Sequence, residues 1–342
     1  MHPPVFSDLS FDDALAKAGS KILLVDASAS WCQPCKHMDK TTWVDAGVVE
    51  AIGKHGLAIQ FDVDEQKELA KKLSVRAMPT VIAFRDGKEM DRIVGMRGPA
   101  AFVEWLDGLA RGETSLDIAR KAAKEKPTSA DTRQAFARGL LQAGILDEAT
   151  TEHVWIWEHM TEHVPQFVGM KHSFFLKQVM ELIGRHPPAR DAFVKIRDAT
   201  TPGTMDWFSL NHAMQDDAKT LAWFDTIKDK IATDEEIAKA VEGVVIPLLV
   251  AAGRWADAGH AYVQPLKTLE RIVERSKQTA QLAEQLPPEH KTAALAEFQK
   301  MNAKEVSMLR RALSEAGRGD DLRAVEEAAG KVDPAWVAPS AK

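Results

Sequence analysis

The sequence predicts an α/β domain built on a mixed sheet flanked by helices, followed by an all-α region of helix-turn-helix repeats. Three observations carry this expectation. Between about residues 5 and 111, short helical stretches alternate with β-branched runs and end in a hairpin. Beyond Pro127 strand signals stop, and helical periodicity continues to about Gly330. A chain of 342 residues is also too long for the first pattern alone. The expected organisation is a domain over 1–111, a charged helical connector over 112–126 and a helical array over 127–342.

Within the first domain, Ser10 with Asp13 three residues later resembles a capping signal for a helix ending near Gly19. Lys21–Asp26 (KILLVD) is a continuous apolar run of strand length, as a buried central strand requires. Leu57–Val63 is a second strand candidate. Thr80–Arg85 is a third, and an Asp86-Gly87 turn joins it to a hairpin partner, Lys88–Val94. Pro99–Ala110 reads as a closing helix.

Gly112–Lys126 is polar and rich in alanine and lysine, and reads as a helix ended by Pro127. Further on, breaks are expected at Pro165, Pro187-Pro188, Pro202-Gly203, Pro247, Pro265 and Pro287-Pro288. Segments 140–150, 248–258 and 312–325 each run from an apolar helix through Ala-Gly into an acidic helix start, the signature of a helix-turn-helix pair. They look like tetratricopeptide-type repeats, although the spacing departs from 34 residues and the full consensus is missing.

Composition narrows the function. Hydrophobic residues make up 45% and charged residues 27%, with a net charge of -6 and the two signs well mixed, which gives no reason to expect nucleic acid or an anionic membrane as partner. The longest apolar run, Val244–Ala252, contains Pro247 and is far short of the roughly twenty residues that cross a bilayer. No basic stretch leading into an apolar one is visible at the N-terminus, so a soluble, cytoplasmic protein is expected.

The only two cysteines are three apart, in Trp31-Cys32-Gln33-Pro34-Cys35-Lys36, directly after a strand and where a helix would begin. A thiolate rather than a thiol attacks a disulfide, and the free N–H groups and dipole of a helix N-terminus stabilise an anion at Cys32. Cys35, one turn further in, is placed to resolve a mixed disulfide, and two intervening residues bring the sulfurs within bonding reach. Two other readings stand beside this one. A zinc half-site lacks its second pair of ligands, since His37 alone does not complete it. A structural disulfide at this spacing closes too small a loop to stabilise much. The redox reading is preferred.

The landmarks around the motif resemble the thioredoxin family over about residues 5–111, which implies the thioredoxin fold. Asp26, six residues before Cys32, stands where thioredoxins keep a buried aspartate that moves the proton of the resolving cysteine. Val75-Arg76-Ala77-Met78-Pro79-Thr80 is similar to the loop whose proline is cis, with Met78 offering backbone groups to the substrate. Gly95 matches the glycine that completes the substrate groove, and Trp31 the tryptophan beside the nucleophile. The resemblance thus implies Cys32, Cys35 and Asp26 as catalytic residues and Trp31, Gln33, Pro34, Met78, Pro79 and Gly95 as substrate-binding ones. Cys35–Asp45 is also similar to the thioredoxin-fold domains of bacterial disulfide interchange reductases.

Three positions depart from the family pattern. Gln33 replaces a glycine, Lys40 stands in place of a helix-kinking proline, and Gln60 replaces the lysine that commonly partners the buried aspartate.

Outside the motif, His153, His159, His163 and His172 mix with Glu152, Glu158 and Glu162. His159 and His163 share a helix face, but no third ligand is specified, so a solvated face is expected and no metal. Trp155, Trp157, Trp207, Trp223 and Trp255, with Phe174, Phe175, Phe208 and Phe224, read as helix–helix core in preference to a peptide groove. Glu270–Lys304 reads as a solvated amphipathic pair of helices.

The expected function is a protein-disulfide reductase, a thiol–disulfide oxidoreductase with no cofactor beyond the redox-active Cys32–Cys35 pair. Its partners would be disulfide-bearing protein clients and an upstream dithiol reductant, with neither nucleic acid nor membrane. The helical region would select or hold clients. The alternative is a redox-switched holdase or adaptor in which the helical array is the working part.

Overall fold

The computed structural model describes residues 3–163, 167–284 and 288–337, with the side chains of 163 and 288–290 outside the description. The chain divides into two compact units, 1–163 and 164–342.

Unit 1 opens with α1 (Phe11–Ala18), which Ser10 caps by accepting the Asp13 amide. Then follow β1 (Ile22–Ser28), α2 (Gln33–Lys40), α3 (Ala46–His55), β2 (Gly56–Asp62), α4 (Lys67–Lys72), β3 (Thr80–Arg85), β4 (Lys88–Val94) and α5 (Pro99–Ala110). The sheet order is β2-β1-β3-β4, with β1 parallel to β2 and antiparallel to β3, and β4 antiparallel to β3. This is the mixed sheet expected from the sequence. The third strand, the hairpin strand and the closing helix have the expected bounds, because Asp86 and Gly87 both adopt positive φ (52° and 73°), as a tight two-residue hairpin turn demands, and Pro99 opens α5.

β1 is buried on both faces, which explains its unbroken apolar run. Ile22 and Leu24 pack with Trp43, Phe102 and Trp105 on one side, and Leu23, Val25 and Ala27 pack with Phe11, Ile59 and Phe84 on the other. Gly56, in register with Ile22, is required by space: a Cβ there would lie 1.8 Å from the Ile22 carbonyl oxygen.

After α5 comes α6 (Ser115–Glu125), held at its start by a capping box of Thr114 and Asp117. It is fastened rather than loose. The Ser115 amide donates to Asp91 Oδ2 on β4 at 2.7 Å, and Gly108 of α5 leaves room for the Ile118 side chain. α7 (Ala130–Ala143) and α8 (Leu146–His163) complete the unit, so compact packing extends well past residue 111.

All the secondary-structure elements among the described residues of unit 2 are helices. α9 (Val168–Met170) runs through a π-turn (Lys171–Phe175) into α10 (Leu176–Arg185), then α11 (Pro187–Ala199), α12 (Met205–Ala213), α13 (Asp217–Ile227) and α14 (Glu235–Ala240). A second π-turn (Val241–Val245) leads to α15 (Ile246–Ala251), α16 (Trp255–Ala261), α17 (Pro265–Glu284), α18 (Pro288–Glu315) and α19 (Gly319–Val332).

Pro187, Pro265 and Pro288 open helices, and Pro202-Gly203 lies between two, as expected. Pro165 and Pro287 lie outside the described residues. Pro247 corrects the expectation of a break, since the chain is helical from Glu235 to Ala251. The π-turn just before it sends the Ile246 amide back five residues to the Val241 carbonyl, a local widening that accommodates a residue with no N–H to give.

All three Ala-Gly segments are helix-turn-helix joints. Gly144, Gly253 and Gly317 have φ of 74°, 74° and 68°, and the following amide reaches back five residues each time: Ile145 to Leu140, Arg254 to Leu249, Arg318 to Leu313. Most of the aromatic residues are core, as expected. Trp207, Phe208 and Phe224 join Tyr262, Leu309 and Trp336 in the unit 2 cluster, while Trp157 and Phe175 are fully buried. Phe174 is the exception, being 69% exposed.

Candidate active site

β1 ends at Ser28, and the chain turns through Ala29–Trp31 into α2, so that Cys32 occupies the helix N-cap. Its Sγ accepts the Cys35 amide hydrogen at 3.2 Å, doing with sulfur what a serine or aspartate oxygen does at other helix starts. Cys32 and Cys35 are joined by a disulfide with Cα atoms 5.3 Å apart. Both are buried, at 4% and 2% exposure, in a small apolar cluster with Ala29, against which Val63 and Met78 pack. Pro34 lies in the first turn, where its missing N–H costs nothing, and Gln33 and Pro34 are exposed.

The loop expected to hold a cis proline does so, at Met78-Pro79. Thr80 Oγ1 braces it by donating to the Ala77 carbonyl at 2.7 Å. Gly95, with φ of 92°, donates its amide to the Pro79 carbonyl at 2.8 Å, which draws the β4–α5 loop against the proline. Met78, Pro79 and Gly95 are thereby gathered together, and Met78 touches the cysteine pair. Trp31 is 61% exposed, and its indole Nε1 donates to Asp64 Oδ2 at 2.8 Å. Asp62, just before, accepts the Ser30 and Asp64 amides, so one acidic turn secures the approach to Cys32.

Asp26 lies on the strand leading into this loop and is 1% exposed. Burial is the main force on its carboxyl and pushes it up to about 7. The hydrogen bond from Gln60 opposes this, the nearby charge of Asp39 adds to it, and Trp43 favours the carboxylate more weakly. Gln60 Nε2 donates to Asp26 Oδ2 at 2.8 Å and to Asp39 Oδ1 at 3.0 Å, while Asp26 Oδ1 is buried without a hydrogen-bond partner. A neutral amide therefore stands where the family pattern has a cation, and it ties the buried aspartate to the helix that carries both cysteines. Lys40, another of the three departures, is the last residue of α2. The helix stops there, and the amides of Thr41, Thr42 and Trp43 all turn onto the Met38 carbonyl.

The sequence reading missed Asp39 and Asp64. Asp39 follows Cys35 by four residues and so shares its helix face, a signal present in the sequence. The contact of Asp64 with Trp31 spans 33 residues and carries no local signal.

The histidine-rich segment is not one solvated face. His153 is buried with Nδ1 2.7 Å from the Ala149 carbonyl, His159 stacks on Trp155, and His172 lies 2.9 Å from Ser209 Oγ. The side chain of His163 lies outside the description. Among the described residues no group of three or more His, Cys, Asp or Glu side chains is gathered as a metal site would need, and no helix is long and apolar enough to cross a membrane.

A family model described as Thioredoxin matches residues 3–108. Thioredoxin-2 of Saccharomyces cerevisiae is 39% identical over 94 residues, covering 27% of this chain and 82% of that protein. The Thioredoxin H-type protein of Oryza sativa subsp. indica is 39% identical over 85 residues, 24% of this chain; the match spans 64% of that relative's length, just under two thirds. Among solved structures, a thioredoxin from Thermus thermophilus aligns with a TM-score of 0.29 and 25% identity over 32% of this chain and 94% of that one. Through residues 3–108, this chain belongs to the thioredoxin family.

Proposed function

We propose that the chain is a thiol–disulfide oxidoreductase that reduces or exchanges disulfides in protein clients. The observation that carries this reading is the Cys32–Cys35 disulfide at the N-terminus of α2, with Cys32 Sγ already accepting a helix amide and the Met78-Pro79 loop against it. That amide, with the helix dipole, stabilises the sulfur as a thiolate once the pair is reduced.

The reaction balances within the dithiol. The Cys32 thiolate displaces one sulfur of a client disulfide, which leaves as a thiolate and takes a proton. Cys35 gives its proton to Asp26 and attacks Cys32 Sγ, releasing the second client sulfur. Two electrons have then passed to the client, and the chain is left with the disulfide present in the structure. An upstream dithiol reductant returns the electrons. An aspartate held near 7 suits the proton step, because it both accepts and releases near neutral pH. Met78 backbone groups, with Trp31, Gln33, Pro34, Pro79 and Gly95, frame the client segment. A compartment that keeps thiols reduced, the cytoplasm, suits a chain whose two cysteines are this pair.

The helical region, with its three similar helix-turn-helix joints, is assigned the holding of clients or partners in the manner of tetratricopeptide-like repeats. Cys32→Ser is expected to abolish disulfide reduction, and Cys35→Ser to accumulate clients as mixed disulfides at Cys32. Recovery of no mixed disulfide from Cys35→Ser under non-reducing conditions would overturn the protein-client reading. A chain ending at 163 that reduces protein disulfides as fast as the full chain would remove the role given to the helices of unit 2.

A further inference from the structure

We propose that the clients favoured by this site carry acidic residues within a few positions of their reactive cysteine. The proposal deepens the oxidoreductase reading and rests on it.

Three segments frame the disulfide, and each presents an exposed cation. Lys36 follows Cys35 on α2, and its amide donates to the Cys32 carbonyl at 3.1 Å. Arg76 precedes by two residues the Met78 that packs on the cysteine pair. Arg97 follows by two the Gly95 that bonds Pro79, and its carbonyl is fixed by Thr42 Oγ1 at 2.7 Å. Among the described residues no carboxylate pairs with any of these three, whereas Arg92, Arg111, Arg120 and Arg133 of the same unit each meet one.

The carboxylates near the site are placed differently. Asp39 is engaged by Gln60, Asp64 by the Trp31 indole, and Asp62 by two backbone amides. Asp62, Asp64 and the exposed Glu65 all follow from the end of β2, on the Trp31 side. The acidic residues thus follow β2 next to Trp31, whereas Arg76 and Arg97 are exposed two residues from Met78 and Gly95, and Lys36 is exposed on α2 next to Cys35. Exposed cations without a carboxylate partner, on the segments that adjoin the disulfide, would attract carboxylates of an incoming client segment and repel its lysine and arginine.

The test uses the full chain and three synthetic peptides, each closed by one disulfide and identical except for flanking Glu, Gln or Lys. The Glu peptide is expected to be reduced with a kcat/KM about fivefold above the Gln peptide, the size two exposed ion pairs supply. The Lys peptide should be slowest, and the differences should close at about 1 M salt as screening shortens. The double variant R76E/R97E should reverse the order, a change that a damaged fold cannot produce. Equal kcat/KM for the three peptides, or an order that survives the reversal, overturns the proposal while leaving the oxidoreductase reading in place. Failure to reduce any of them removes both.

Discussion

Asp26 and Gln60 are register partners on the parallel strands β1 and β2, and the Gln60 side chain completes the pairing by donating Nε2–H to Asp26 Oδ2 at 2.8 Å. The same amide reaches Asp39 on α2. One neutral group thus serves two carboxylates, one of them fully buried, and cannot neutralise either. This arrangement governs how the site responds to pH.

Asp26 ties stability to pH. Its carboxyl titrates near 7 in the folded chain against an ordinary value of 3.8, so between those values the native state binds the extra proton. Stability is therefore highest at the acid end of that window and declines as pH rises to about 7, beyond which the loss is complete. Asp26→Asn should flatten this slope and stabilise the protein at pH 8 by on the order of 3 kcal/mol. Denaturant unfolding at several pH values checks it, and a slope retained in the variant would place the titrating group elsewhere.

Gln60→Lys and Asp39→Asn should each lower the Asp26 midpoint, the first by adding a positive charge and the second by removing a negative one. Carbon-detected NMR of the Asp26 carboxyl would follow it. A midpoint unmoved in both variants would mean that burial alone sets the value.

Trp31 depends on Asp64 for its position, since most of its surface is exposed and its indole N–H has this one acceptor. Asp64→Ala should shift the Trp31 indole resonance and reduce kcat/KM toward protein disulfides by about fivefold, which corresponds to the roughly 1 kcal/mol of an ordinary hydrogen bond. Asp64→Asn keeps an acceptor and should retain most of the rate. Equal losses in the two variants would contradict this.

Asp91 Oδ2 accepts from both the Trp105 indole (2.8 Å) and the Ser115 amide (2.7 Å), and so joins β4 to α5 and to the first turn of α6. Asp91→Ala leaves the buried Trp105 indole and the half-buried Ser115 amide without their acceptor and should destabilise unit 1 by about 1–3 kcal/mol. Hydrogen exchange should report early opening of α6. Unchanged protection of α6 would show that its packing, not this carboxylate, fastens it.

Gly259 lets α16 approach α18 closely: a Cβ there would lie 2.1 Å from the Ala312 carbonyl oxygen. Gly259→Ala should destabilise unit 2 by about 2–3 kcal/mol through forced separation of the helices, despite alanine's better helix propensity. A melting temperature equal to or above that of the parent would refute the close approach.

Much of the fold was legible because its signals are local. The Asp86-Gly87 turn dictates the β3–β4 hairpin through its own φ angles. Pro99 marks the start of α5, and the glycines at 144, 253 and 317 mark three helix ends, each acting over four or five residues. The dithiol was legible for the same reason, because the strand, the motif and the helix start are contiguous.

The amino-acid order by itself determined the two grammars of the chain, the cysteine pair at a helix start and the aspartate six residues upstream. Only the tertiary structure decided what surrounds them. Asp39, Gln60 and Asp26 meet because strand register and helix placement bring together positions 21 and 34 residues apart. The same holds for Asp64 under Trp31, for the helices to residue 163 that pack into one unit with the sheet, and for Pro247, where a π-turn lets the helix pass. Burial and charge fields are properties of the packed interior, and no short segment of the chain carries them.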